Sequence, residues 1–354
     1  DIVVADINGY GYVLNATTGG YASNIYASND EAYDIEVFDN GSGYNSTIAV
    51  MGYDSVTLQK GFLVLFNKDG NVVCNATGSN INYALAVGDI NRDGNKSEIV
   101  AGSVYNVFAY YNNCSRIWAN GYMEGTVNDI EVGDIDNDGF YDDAVTVDNG
   151  VDLRVYNNTG EQAWYDLNIA ALPYSVEVGD IDNNAGDDIV AEDGGSIYGY
   201  FDNQYRNNEQ SFNWSSPSPI SPIYELRFGN FSNNGRIAAL DSGSTTDFLI
   251  VFNSSGNQTW NVSLTNSLYY SMAAGNLSND AGDEIVIGGD TDYVYVYNAS
   301  GALKWDYLTG GDVGSSPYAD GAIEIADING DKNNDIIAGS EDNYGYVLGG
   351  NTNL

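Results

Sequence analysis

Seven short loops recur in this chain, and all but those at Asp39 and Asn230, which lack most ligands, place oxygen-bearing side chains at alternate positions, the arrangement that lets one tight turn gather several oxygens around a hard cation. The best formed runs Gly133-Asp134-Ile135-Asp136-Asn137-Asp138-Gly139. Close copies run from Gly88 to Gly94, from Gly179 to Asn184 and from Ala326 to Asp331, and weaker ones begin at Asp39, Asn230 and Asn276. Loop starts at 39, 89, 134, 180, 230, 276 and 327 are separated by 45 to 51 residues. In the first loop Asp134, Asp136 and Asp138 supply positions one, three and five, Gly139 permits the sharp turn, Phe140 offers its carbonyl, and Asp142 or Asp143 closes the shell. The corresponding sets are Asp89, Asn91, Asp93, the Asn95 carbonyl and Glu98, and Asp180, Asp182, Asn184 and Asp188. The last set is Asp327, Asn329, Asp331, the Asn333 carbonyl and Asp335. Closely spaced carboxylates repel one another unless a cation lies between them, which points to calcium. Without histidine or clustered thiols, transition metals are disfavoured. No metal is expected at Asn230, where Arg236 stands near the closing position, and a weak or empty site is expected at Asn276.

A period in the mid-forties marks one supersecondary unit repeated. Around the Asn276 loop come an apolar run to Ala274, then Ile285 to Gly289, Tyr293 to Tyr297, a turn Asn298-Ala299-Ser300-Gly301, and a run ending at Trp305. Short runs rich in β-branched and aromatic residues, cut by Gly, Asn and Asp, are strands. All five tryptophans (Trp118, Trp164, Trp214, Trp260 and Trp305) share one register near the end of the fourth strand. Four strands per repeat predict an all-β fold, a β-propeller with the cation loops between strands one and two. Repeats starting near 1, 35, 83, 128, 174, 224, 269 and 321 give eight blades, or seven with overlapping ends, in one domain over residues 1–354. The partial terminal repeats leave open that a strand is borrowed from a neighbouring subunit.

Fifty acidic residues against 11 basic ones give a net charge of −39. Such a chain repels nucleic acid and anionic membrane. No run approaches the roughly 20 apolar residues of a membrane span. Fourteen Asn-x-Ser/Thr sequons occur, and Asn15, Asn157, Asn253 and Asn298 fall in the turn between strands three and four, which marks them as glycosylation candidates on an exported chain. Cys74 takes the tryptophan register of its repeat, and Cys114 lies in the three-to-four turn of the next. A disulfide between them suits an oxidising compartment, with two unpaired thiols as the alternative.

The pattern apolar-Gly-Asp-x-Asp/Asn-x-Asp-Gly-x-x-Asp, followed by an apolar strand and a Gly-rich corner, resembles the FG-GAP repeat of the integrin α-subunit propeller. The resemblance implies calcium in the loops and a role in adhesion or scaffolding, with other surface proteins, glycans or the chain itself as partners. The expected function is therefore a non-enzymatic, extracellular, calcium-stabilised surface protein: an adhesin, sheath, S-layer or filament subunit. The alternatives are a glycan-binding module, given 29 Tyr and 5 Trp, and a calcium-dependent polysaccharide lyase working through carboxylates. Zero histidine removes Ser-His-Asp and Cys-His chemistry.

Overall fold

The computed structural model describes residues 2–5, 10–14, 21–26, 32–39, 46–54, 60–67, 71–77, 82–121, 125–150, 152–166, 169, 173–201, 212–217, 222–242, 247–264, 268–278, 281–314, 322–327, 333–342 and 344–349. Thirty strands form eight antiparallel sheets among these residues. The first sheet has three strands, β1 (Ile2–Ala5), β2 (Tyr10–Leu14) and β3 (Tyr21–Tyr26). Six four-stranded sheets follow. They are β4 (Ala32–Asp39) to β7 (Val72–Thr77) through β5 (Ser46–Asp54) and β6 (Lys60–Asn67); then β8 (Asn82–Gly88), β9 (Glu98–Ser103), β10 (Asn106–Tyr110) and β11 (Arg116–Asn120). Next come β12 (Val127–Gly133), β13 (Asp143–Asp148), β14 (Asp152–Tyr156) and β15 (Gln162–Asp166), and β16 (Val176–Gly179), β17 (Asp188–Glu192), β18 (Ser196–Tyr200) and β19 (Trp214–Pro217). The last two are β20 (Ile223–Phe231), β21 (Gly235–Asp241), β22 (Phe248–Asn253) and β23 (Gln258–Ser263), and β24 (Tyr269–Gly275), β25 (Glu284–Gly289), β26 (Tyr293–Tyr297) and β27 (Leu303–Leu308). A three-stranded sheet of β28 (Ile323–Ala326), β29 (Asp335–Gly339) and β30 (Gly345–Gly349) ends the series. Seven sheets thus open with a first strand, β4 to β30, and β1–β3 is a further sheet. Every sheet is a meander in sequence order.

The chain divides into two compact units: residues 1–15, 20–191 and 200–213, and residues 16–19, 192–199 and 214–354. Within each unit the core lies between successive sheets. In the first, Ala109, Val107 and Trp118 pack with Ile130, Ala144 and Tyr156 of the next sheet. In the second, Leu240, Leu249 and Val251 pack with Met272, Ile285 and Ile287. Second strands, with a neighbour on both sides, are buried at every residue in β9, β13, β17 and β25. That burial is why they read as continuous apolar runs. Fourth strands such as β7 and β27 alternate between exposed and half-buried, as edge strands should.

First strands carry a bulge near their start, between Ala32 and Asp34, Val127 and Asp129, and Tyr269 and Ser271. The bulge re-aims the side chain that follows it. Asp34 Oδ2 accepts from the Leu85 N–H (2.7 Å), Asp129 Oδ2 from Val176 (2.8 Å), and Ser271 Oγ from Ile323 (3.1 Å), in each case on the first strand of the next sheet. Sheets are therefore registered to one another by buried polar groups as well as by apolar packing.

The outer edges have their own device. Trp118 lies against Gly160 in the three-to-four turn of the next sheet, where a Cβ would come within 2.6 Å of the indole. Gly160 has φ 77°, so the turn and the ring both require glycine. Trp214 with Gly256 and Trp260 with Gly301 repeat the pair. Cys74 stands opposite Leu65 as Trp118 stands opposite Ala109. Cys114, at φ 60°, closes its turn on the Tyr111 carbonyl as Gly160 closes on Asn157. The two sulfurs are bonded, with Cα atoms 5.9 Å apart. A disulfide thus takes the place of a Trp–Gly contact.

Candidate metal centre

Each candidate loop joins the end of a first strand to the start of a second, and sheet pairing fixes its two ends. Gly133 pairs with Asp143, Gly88 with Glu98, Gly179 with Asp188, Gly275 with Glu284 and Ala326 with Asp335. The closing acid is therefore the first residue of the second strand. Of the two residues left open in the Asp134 loop, register puts Asp143 at that position rather than Asp142. Adjacent acids gave the sequence no means to choose; the strand pairing does.

Three loops share one internal geometry. Asp134 accepts from the Asp138 and Gly139 N–H groups (2.8 and 2.9 Å), and Asp89 from Asp93 and Gly94 (2.8 and 2.9 Å). Asp180 accepts from Asn184 and Ala185 (3.0 and 3.3 Å). The closing acid reaches back to the third residue: Asp143 Oδ2 accepts from Asp136 N (3.0 Å), Glu98 Oε2 from Asn91 (3.4 Å) and Asp188 Oδ2 from Asp182 (3.2 Å). The fourth residues are left-handed (Arg92 at 58°, Asn137 at 54°, Asn183 at 64°), and so are the sixth (Gly94 at 88°, Gly139 at 95°, Ala185 at 80°). These turns aim side-chain oxygens inward. Carboxylate oxygens of Asp134, Asp136 and Asp138 lie within 4.8 Å of one another, as do those of Asp180, Asp182 and Asp188. Asn95 and Phe140 sit at position seven, their N–H groups on Asp93 and Asp138 (2.9 and 3.1 Å).

The electrostatics show carboxylates buried and crowded together, with Arg92 offsetting part of their charge. Burial, then the Asp136 charge, pushes Asp143 up to about 8, and burial pushes Asp142 up to about 6 against the pull of Arg92. Burial raises Asp136, with Asp138 and Asp134 adding to it, and burial raises Glu98. Asp142 Oδ1 is buried without a hydrogen-bond partner. An all-oxygen set of this kind fits calcium, and a bound cation would reverse each of these repulsions.

The remaining loops differ. At Asn230 the loop is cut short: Ser232–Asn234 make a tight turn with Asn233 and Asn234 left-handed (φ 60° in both), and β21 begins at Gly235, with Arg236 just inside it. At Asn276, buried Glu284 accepts from the Leu277 N–H (2.9 Å) and from Ser278 Oγ (2.6 Å), and the Lys304 ammonium lies 3.0 Å from its Oε1. In the last loop, exposed Asp327, half-buried Asn333 and buried Asp335 are described, whereas Asn329 and Asp331 lie outside the described residues.

The residue before the closing acid does a job that the sequence reading missed. Asp187 accepts from Asp134 N (2.8 Å) and donates its own N–H to Asp134 O (3.1 Å). Asp283 and Asn230 do the same (2.6 and 2.9 Å), and Asn334 Nδ2 donates to Asn276 O (2.8 Å). The loops at Asp134, Asn230 and Asn276 are thereby each tied to the next. The signal was a polar residue at this position in five of the repeats: Ser97, Asp142, Asp187, Asp283 and Asn334.

The sequon asparagines Asn157, Asn253 and Asn298 use Oδ1 to accept two backbone N–H groups of their own turn, at 2.9 to 3.1 Å. The turn thus has its own need for asparagine. Asn15 lies outside the described residues. Asp148 and Asp152, an acid pair facing each other on β13 and β14, are buried, and Arg154 closes on Asp152.

No protein-family profile and no curated protein matches the sequence. Solved structures do match in fold. Sqt1 of Saccharomyces cerevisiae superposes with a TM-score of 0.73 at 11% identity, over 98% of this chain and 91% of that one. BBS1N, solved in complex with ARL6DN, gives 0.62 at 12% identity over 90% and 92%. The WD40 β-propeller domain of Doa1 gives 0.59 at 15% identity over 96% of each chain. At such identity the likeness concerns the fold alone, and the fold is a β-propeller of four-stranded blades.

Proposed function

We propose that this protein is a non-enzymatic, calcium-stabilised β-propeller of the FG-GAP type that serves outside the cell as a scaffold for binding other macromolecules. The observation that carries the reading is the common oxygen cage of the loops at Asp89, Asp134 and Asp180. Each builds it from a different mixture of Asp, Asn and Glu on the same backbone turn. Calcium, when bound, supplies the positive charge that lets these buried carboxylates remain ionised. The residues that would hold it are Asp89, Asn91, Asp93 and Glu98; Asp134, Asp136, Asp138 and Asp143; and Asp180, Asp182, Asn184 and Asp188. The Asp327 loop, with Asp335, is the fourth candidate.

A structural role accounts for the position of these loops, since each ends a first strand and those at Asp89 and Asp134 are bonded to the next loop, through Tyr141 and Asp187. A carboxylate-based hydrolase or lyase finds no support in the Asp148–Asp152 pair, which a polysaccharide does not reach. The scaffold reading draws on the propeller fold, whose neighbour BBS1N was solved with a protein bound. Export is supported by the disulfide and by the sequons, because Asn157, Asn253 and Asn298 leave Nδ2 outside the turn's hydrogen bonds, where a glycan would not disturb them.

Thermal unfolding with and without a calcium chelator tests the reading. One site at a free calcium of about 100 times its dissociation constant adds about 2.7 kcal/mol, so several sites together shift the midpoint by many degrees. Equal midpoints in excess calcium and excess chelator would refute it.

A further inference from the structure

Arg92 is the fourth residue of the Asp89 loop, left-handed at φ 58° between Asn91 and Asp93. Its guanidinium does not serve its own loop. It reaches the next one, where Nε donates to Asp142 Oδ2 (2.6 Å) and a terminal nitrogen lies 2.9 Å from Asp138 Oδ2. The guanidinium carbon stands 5.1 Å from the centre of the Phe140 ring. The other oxygen of Asp138 accepts from the Phe140 N–H (3.1 Å), so both oxygens of this candidate ligand are engaged. Asp142 Oδ1 is buried and without a hydrogen-bond partner, and its carboxyl group stands close enough to Asp136 and Asp138 to feel both charges. The Asp134 loop therefore holds an unsatisfied acceptor and a cation borrowed from its neighbour. The equivalent fourth residue of the Asp134 loop is Asn137, at φ 54°, which is uncharged.

We propose that Arg92 sets the calcium affinity of the Asp134 loop, as a tethered cation that opposes the metal and competes with it for Asp138. The inference rests on the calcium reading above. A guanidinium held on one carboxylate of the cage, Asp138, and on Asp142 beside it lowers the negative charge available to a divalent ion and must give up or share Asp138 when the ion binds. Because its backbone belongs to the Asp89 loop, whatever orders that loop also positions the competitor, so the occupancy of the two loops is linked. Asn137, the fourth residue of the Asp134 loop, carries no charge with which to oppose a cation in the Asp180 loop in this way.

The test is calorimetric calcium titration of the full chain in wild-type, R92Q and R92K forms, each also in a D134N/D136N background. Circular dichroism in excess calcium checks that each variant is folded. R92Q keeps hydrogen-bonding capacity and removes the charge, whereas R92K keeps the charge. R92Q is expected to tighten one class of site by about tenfold, the order for a unit charge acting on a divalent ion across a few ångströms of well-screened surface. R92K should stay near wild type, and the gain should vanish in the D134N/D136N background. Calcium binding by R92Q that is unchanged, weaker, or tighter by the same factor in the double-mutant background would overturn the role of Arg92 and leave the calcium reading standing. No calcium binding by the wild type would overturn both.

Discussion

Replacing Asp148 with asparagine is expected to stabilise the protein at neutral pH. Asp148 ends β13 opposite Asp152 and is completely buried. Its Oδ1 accepts from the Gly150 N–H (2.7 Å), and its Oδ2 has no hydrogen-bond partner. Burial first, then the charge of Asp152, push its pKa up to about 6, against the pull of the Gly150 N–H and of Arg154. In the unfolded chain it is an ordinary carboxylate at 3.8. A folded-state value above the unfolded one means that the folded form holds the proton more tightly. The stabilising contribution is then complete below pH 3.8 and is lost as the pH rises through 6. Two pKa units at about 1.4 kcal/mol each give a deficit of about 3 kcal/mol at neutral pH. Asparagine keeps the acceptor for Gly150 but loses a charge-assisted bond worth roughly 1 kcal/mol beyond a neutral one. The net gain is about 1–2 kcal/mol, a few degrees in midpoint for a chain of this size. Melting curves of both proteins between about pH 4 and pH 8, at fixed calcium, measure it. The gap should be small at the acid end and open as the pH rises. A gap independent of pH, or a variant less stable than wild type at neutral pH, would refute the reasoning.

Three further outcomes follow from the geometry. Ala185→Gly is expected to raise stability by roughly 0.5 kcal/mol in chemical denaturation, because Ala185 holds φ 80° where the other loops have glycine; a loss would show that the strain is already relaxed. Lys304→Met leaves Glu284 buried beside only Leu277 N and Ser278, and a loss of about 1–3 kcal/mol is expected, discounted because the ammonium is partly exposed; an unchanged midpoint would mean that the pair contributes nothing. Removing the Cys74–Cys114 bond by a double serine substitution frees a loop of 40 residues and is expected to cost about 4 kcal/mol. Cys74→Trp with Cys114→Gly should recover much of that loss by recreating the Trp118–Gly160 contact, and a double variant no better than the serine pair would sink the equivalence.

The strands and loops were legible because they repeat. Second strands such as β9, β13, β17 and β25 are buried on both faces and most of the loops carry oxygens at alternate positions, so both signals recur along the chain and reinforce one another. What stayed hidden depends on neighbours distant in sequence. Asp34 and Asp129 look like acids stranded in apolar runs, and only the bulge beside each shows that they bond the next first strand. Asp142 and Asp143 are chemically alike, and pairing with Gly133 alone separates the one that closes the loop from the one that meets Arg92. Arg92 and Lys304 read locally as solvated cations, yet their partners lie 50 and 20 residues away. Cys74 and Cys114 were placed in the tryptophan register and the turn from spacing alone, but their equivalence to a Trp–Gly pair needed the left-handed φ of Cys114.

Together the loops show how one scaffold can solve the same charge problem in different ways. A second strand that begins with a buried acid needs a positive partner, since a buried carboxylate left alone is costly. In the loops at Asp89 and Asp180 the remaining oxygens are arranged so that a divalent ion can be that partner. In the Asn276 repeat Lys304 is the partner, and the first residue is an amide. In the Asn230 repeat the problem is removed, because the loop is shortened and Arg236 stands where the acid would be. The Asp134 loop lies between these cases, with a full set of carboxylates and a guanidinium from its neighbour resting on one of them, Asp138, and on the adjacent Asp142. A chain with only 11 basic residues against 50 acidic ones has few cations to place. That Arg92 and Lys304 are spent on these loops argues that charge at the first-to-second-strand corner is what each repeat must balance, by metal or by side chain, before its second strand can be buried.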